Sequence, residues 1–175
     1  PNMLITAPIA FGGANATFAG GIDFVGGWAP QHEFNAPNCL GTGPIRAYGG
    51  SFIKLIFNAE QNLTWLESHE GSPTFNAPNA VVGGTFIHDN LQPNNYGDVT
   101  FNAAGAIRDS NVYIGRVRSL SVNTSDVFVG TTSVEIDGLG TDLEYGQSHT
   151  GGTTLRETTS KRYAWWEGSD ANTGN

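Results

Sequence analysis

The sequence predicts an all-β parallel solenoid, a β-helix of about six coils, and three observations predict it. First, a short phrase recurs at Phe34-Asn35-Ala36, Phe57-Asn58-Ala59, Phe75-Asn76-Ala77 and Phe101-Asn102-Ala103, with looser copies at Val122-Asn123-Thr124 and Phe18-Ala19-Gly20. Second, a large apolar residue stands six positions after the start of each copy: Phe24, Leu40, Leu63, Val81, Ile107 and Phe128. Third, the copies are 16, 23, 18, 26 and 21 residues apart. Chemistry that repeats while length varies marks a stack whose core is constant and whose loops are not. The apolar runs are short, rich in Val, Ile, Phe and Thr, and broken by Gly, Asn or Pro, which is strand chemistry. Helices would need apolar residues at i, i+3, i+4 and i+7 over longer windows. No L-x-x-L-x-L phrase recurs, so leucine-rich repeats are excluded.

Coils of a parallel β-helix lie about 4.8 Å apart, so equivalent side chains stack directly on one another. Phe on Phe would fill the interior. Asn has two reasons to recur: it tolerates the left-handed region at a bend, and its amide can donate to one neighbour while accepting from another. Asn35, Asn58, Asn76, Asn102 and Asn123 are the expected ladder; the alternative is that they are unrelated turn formers. Cys39 falls at the position held by Ala80, Ala106 and Val127 in other copies, which reads as a small buried thiol rather than a nucleophile.

Taken in order, residues 1–13 form an N-terminal cap or the end of an upstream segment, because a free coil end exposes unpaired edges. Residues 14–138 carry the coils. The phrase Gly-Gly-Ser/Thr-Phe occurs twice, at Gly49 to Phe52 and Gly83 to Phe86. The stretch from His88 to Gly97, with Pro93 and two Asn, reads as a lateral excursion. Residues 139–175, with Tyr163-Ala164-Trp165-Trp166, read as a C-terminal cap or oligomerisation tail. The chain lacks an initiator Met, as a processed chain or a piece of a longer one would.

Net charge is −8 with eight Lys and Arg, which argues against nucleic acid as a partner and disfavours strongly anionic polysaccharides unless metal ions intervene. No stretch of about 18 apolar residues offers a membrane span, and a lone cysteine allows no internal disulfide. His32, His69 and His149 are scattered without ligand spacing, so neither a metal site nor a cofactor is expected.

Glycoside hydrolysis needs two carboxyl groups about 5 to 9 Å apart, a distance that adjacent coils can supply. Counting thirteen residues from the start of each copy gives Glu70, His88 and Glu135, with Asp89 beside His88, as catalytic candidates. Loop lengths differ, so this offset need not mark one place in space. Trp65, Tyr48, Tyr96 and Trp28 are the candidates for stacking on sugar rings, against the alternative that each merely covers a coil.

The Phe-Asn-Ala pattern over roughly residues 14 to 138 resembles the right-handed parallel β-helix, or pectin-lyase-like, superfamily. Enzymes of that fold are usually polysaccharide lyases or glycosidases, but their active-site phrases are missing: there is no paired Asp-Asp, no Gly-His-Gly and no Arg-x-Pro-x-x-Arg. A short acidic chain of this kind is most similar to modules of bacteriophage tail spikes, fibres and capsid decorations. That resemblance implies a non-enzymatic virion or extracellular module, a homotrimer among other virion proteins, that presents loops or binds host-surface polysaccharide. The alternative is a fragment of an extracellular polysaccharide depolymerase.

Overall fold

The computed structural model describes residues 3–5, 9–13, 18–26, 30–48, 53–69, 71–89, 97–115, 119–137, 142–144 and 154–157. Every strand pairing among them is parallel, and they build two sheets. The first runs β1 (Met3–Ile5), β3 (Ile22–Val25), β5 (Ile45–Tyr48), β7 (Leu63–His69), β9 (Val81–Asp89), β12 (Asn111–Gly115), β15 (Ser133–Asp137) and β17 (Thr154–Glu157). The second runs β2 (Ile9–Phe11), β4 (Gln31–Phe34), β6 (Ile53–Phe57), β8 (Gly71–Phe75), β10 (Asp98–Phe101), β13 (Ser119–Val122) and β16 (Asp142–Glu144). Two short strands, β11 (Ile107–Arg108) and β14 (Phe128–Val129), stack on the start of β9 along a corner. The chain therefore alternates between sheets and winds around one axis, an all-β parallel solenoid with about five turns between Phe11 and Val122, close to the six coils expected. No helix among the described residues is long and apolar enough to cross a membrane.

The expected side-chain columns exist. Phe34, Phe57, Phe75 and Phe101 are in register along the second sheet and fully buried. Their successive ring centroids lie 4.8, 5.1 and 4.8 Å apart, with the last two pairs tilted by only 7° and 10°. Rings of the first sheet meet this column edge-on, as Phe86 does on Phe75 at 5.3 Å. The apolar residue six positions on is also a column: Leu63, Val81, Ile107 and Phe128 are register partners. Cys39 is buried, and its Sγ donates to Gln61 Oε1 at 3.3 Å. Gln61 is the one amide of this interior column, and it is paired: its Nε2 donates to the carbonyls of Ala36 and Ala59.

The Asn ladder is continuous. Asn58 donates to Asn35 at 2.7 Å, Asn76 to Asn58 at 2.8 Å, Asn102 to Asn76 at 2.8 Å and Asn123 to Asn102 at 2.7 Å. The backbone reason given for these residues is corrected by the structure. None of them has positive φ; the left-handed positions are Asn38, Asn62 and Asn79 (φ 52° each), Gly105 (65°) and Asp126 (52°), at the corner just before the apolar column. One Asn column thus makes bends and a separate one makes rungs. Replacing Asn76 by Ala removes two exposed rungs and is expected to cost about 1–2 kcal/mol in chemical denaturation. Combined with Asn58→Ala, the losses should fall short of their sum, because the two residues share a rung. Strict additivity would mean that the shared Asn58–Asn76 rung contributes nothing.

The first turn departs from expectation. The pattern takes Phe18 as the upstream copy, but the register partner of Phe34 is Phe11, in the phrase Phe11-Gly12-Gly13. Phe18 lies beside the next corner, where its carbonyl accepts from Thr42 N–H at 2.7 Å. Phe24 belongs to the first sheet, opposite Ile5 and Ala47. Both sheets reach back through β1 and β2, and forward through β16 and β17.

Candidate ligand-binding face

Strand β7 carries the features that make a surface site. A register shift between Leu63 and Trp65 leaves Thr64 and Trp65 both exposed, and alternation then resumes with Leu66 and Ser68 inward. Such a bulge re-aims a side chain, here the Trp65 ring, onto the outer face with Glu67 and His69. Register aligns Asp23 of β3, Arg46 of β5 and Glu67 of β7 in one outward row. Arg46 Nε donates to Glu67 Oε2 at 3.3 Å, and its Nη1 lies 3.8 Å from Asp23 Oδ1. Glu67 Oε2 also accepts from Trp65 Nε1 at 3.2 Å, while Oε1 lies 2.5 Å from His69 Nε2. The other ring nitrogen of His69 faces the Asp89 carbonyl at 3.1 Å. Partial burial pushes the Glu67 carboxyl up, but hydrogen bonds from His69 and Trp65, with the charges of His69 and Arg46, outweigh it and hold the group below the usual carboxylate range.

Trp65 and Tyr48 are 37% and 38% exposed, and both project from this face. Tyr48 ends β5, next to Ala47, whose partner is Ser68, so it stands beside His69 at the far end of β7 from Trp65. Four residues at about 3.3 Å each and one strand spacing of about 4.8 Å put the two backbone positions roughly 14 Å apart. Between them lies the row Asp23-Arg46-Glu67. That row escaped the sequence reading, although it had a signal: opposite charges separated by one coil, 21 residues from Arg46 to Glu67.

The remaining candidates do not assemble. Trp28, Tyr96 and Glu70 lie outside the described residues. His88 points inward between its register partners Ser68 and Ile114, and is completely buried. Burial lowers its pKa to about 4, against smaller opposing effects of Asp89 and Asp98. Its two ring nitrogens and Ser68 Oγ have no hydrogen-bond partner among the described residues. Asp89 is the partner of His69, at the end of β9. Glu135 is in the outward row with Tyr113, which is itself opposite Ile87 and then Glu67. His88 and Glu135 therefore stand on opposite faces of the first sheet. No group of three or more His, Cys, Asp and Glu among the described residues could hold a metal ion. No family model, curated protein or solved structure matches this chain.

Proposed function

We propose that the chain is a rigid, non-enzymatic module of a virion or extracellular surface that binds host-surface glycan through the outer face of β5 and β7. The single observation behind this reading is the Trp65 ring, exposed on a flat sheet and fixed in orientation by the Glu67 carboxylate. A ring held in place gives up little freedom when a sugar stacks on it. Tyr48 supplies a second platform on the same face, and a stack with its hydrogen bonds along the axis suits a stiff display element. The analogy with bacteriophage tail spikes, fibres and capsid decorations is one of fold, and it extends to a homotrimer among other virion proteins.

The test is retention of the protein on capsular and cell-wall polysaccharide. Trp65→Ala is expected to weaken binding by about tenfold or more, as loss of an anchoring aromatic does. Release of reducing ends or unsaturated uronides by the wild-type chain would replace this reading with a polysaccharide depolymerase. Glu70, Asp89 and Glu135 would then be the first residues to change.

A further inference from the structure

We propose that the glycan taken by this face is uncharged, that it spans more than one sugar ring, and that acidic polysaccharides are rejected by Asp23 and Glu67. The inference rests on the glycan-binding reading and goes further by naming the ligand class and the residues that select it.

Charge makes the first part of the argument. Among the described residues of the outer face of β3, β5, β7, β9, β12 and β15, the carboxylates are Asp23, Glu67, Asp89 and Glu135. The one guanidinium is Arg46, which lies between Asp23 and Glu67, and its Nε is taken by Glu67 at 3.3 Å. Capture of a uronate or sialate carboxylate uses the arginine fork with two parallel N–H donors. Here Nε is already taken by Glu67 and Nη1 faces Asp23 at 3.8 Å, so the cation's charge is answered within the protein. An acidic sugar would approach a row carrying two negative charges for one positive, on a chain of net charge −8. Rejection of the wrong ligand by placed like charge is a common source of specificity.

Saturation of these acceptors makes the second part. Glu67 is already engaged by Arg46, Trp65 and His69, and Asp23 faces Arg46. The two carboxylates therefore act on a ligand through charge, which repels an anion and leaves a neutral polyol unopposed. With backbone positions roughly 14 Å apart, Trp65 and Tyr48 are separate platforms, so a ligand engaging both is an oligosaccharide.

The experiment measures binding of the full chain to two sets of hexasaccharides at low salt. The neutral set is β-glucan, mannan and N-acetylglucosamine oligomers; the acidic set is galacturonate, glucuronate and sialylated oligomers. The expected result is capture of at least one neutral member, at least tenfold tighter than any acidic one, with the gap narrowing as salt is raised. Glu67→Gln keeps an acceptor for Trp65 Nε1 while removing the charge. With Asp23→Asn it should raise the affinity for acidic members about tenfold or more and so shrink the discrimination, and acidic affinity left unchanged by the pair overturns their selecting role. Capture of acidic members as tightly as neutral ones, still dependent on Trp65, overturns the inference and leaves glycan binding standing. Capture of no member at all removes both.

Discussion

Replacing Phe75 by alanine is expected to cost about 3–5 kcal/mol. Phe75 is completely buried and lies face to face with Phe57 on one side and Phe101 on the other, at 5.1 and 4.8 Å, while Phe86 meets its edge at 5.3 Å. Alanine removes three ring contacts and leaves a void in the middle of a column that has no slack along the axis. A solenoid holds each coil only through its neighbours, so a central lesion uncouples the turns on either side. Guanidinium denaturation followed by circular dichroism should show an earlier and broader transition. Phe75→Leu, which keeps most of the volume, should lose much less. A cost under about 1 kcal/mol for the alanine would mean that the ring column is not what holds the coils together.

Acid should destabilise the fold through His88. The imidazole is completely buried between Ser68 and Ile114, and its folded pKa of about 4 lies below the ordinary histidine value of 6.5. The unfolded chain therefore binds the proton more readily than the folded one between those two values. The His88 contribution leaves stability untouched above about pH 6.5, lowers it as pH drops towards about 4, and changes no further below that. The difference amounts to roughly 3 kcal/mol in full. Asp89 and Asp98 oppose the effect and His69 adds to it, but burial dominates. His32, buried beside the Phe24 ring, is lowered by burial in the same direction. His88→Leu should abolish most of the loss measured between pH 7 and pH 4.5, and an unchanged pH slope in that variant would refute the assignment. The ring has room only because its surroundings are glycine: a Cβ at Gly97 would run into the Gly71 carbonyl and press on His88 Cε1.

How far the sequence could be read depended on which arc of the coil a residue occupies. From the stacked Phe to the next apolar column the path is short and almost constant, so Phe, Asn and that apolar residue kept their spacing and the fold was legible. The first turn was misplaced because Phe11-Gly12-Gly13 carries no Asn to mark it. Beyond the apolar column the path varies. The inward residue of the first sheet follows its Phe by eleven positions at Ile45, nine at Leu66, eleven at Phe86 and twelve from Val122 to Val134. A fixed offset of thirteen therefore gave an inward His88 and an outward Glu135. Of the two Gly-Gly phrases, Gly83 to Phe86 lie within β9 of the first sheet, whereas Tyr48 and Ile53, which flank the other copy, end a strand of one sheet and begin a strand of the other. The row Asp23-Arg46-Glu67 lies on this variable arc, which is why only coordinates brought it together.

Because every rung, ring and backbone bond joins one turn to the next, a turn is the natural unit of inheritance for this chain. A duplication copying one whole turn inserts between its neighbours with amide facing amide and phenyl facing phenyl, and the rest of the stack needs no adjustment. A duplication of half a turn sets one sheet against the other and breaks every column at once. The number of stacked coils is thus free to change only by whole turns, while the loops between columns lengthen or shorten within a turn.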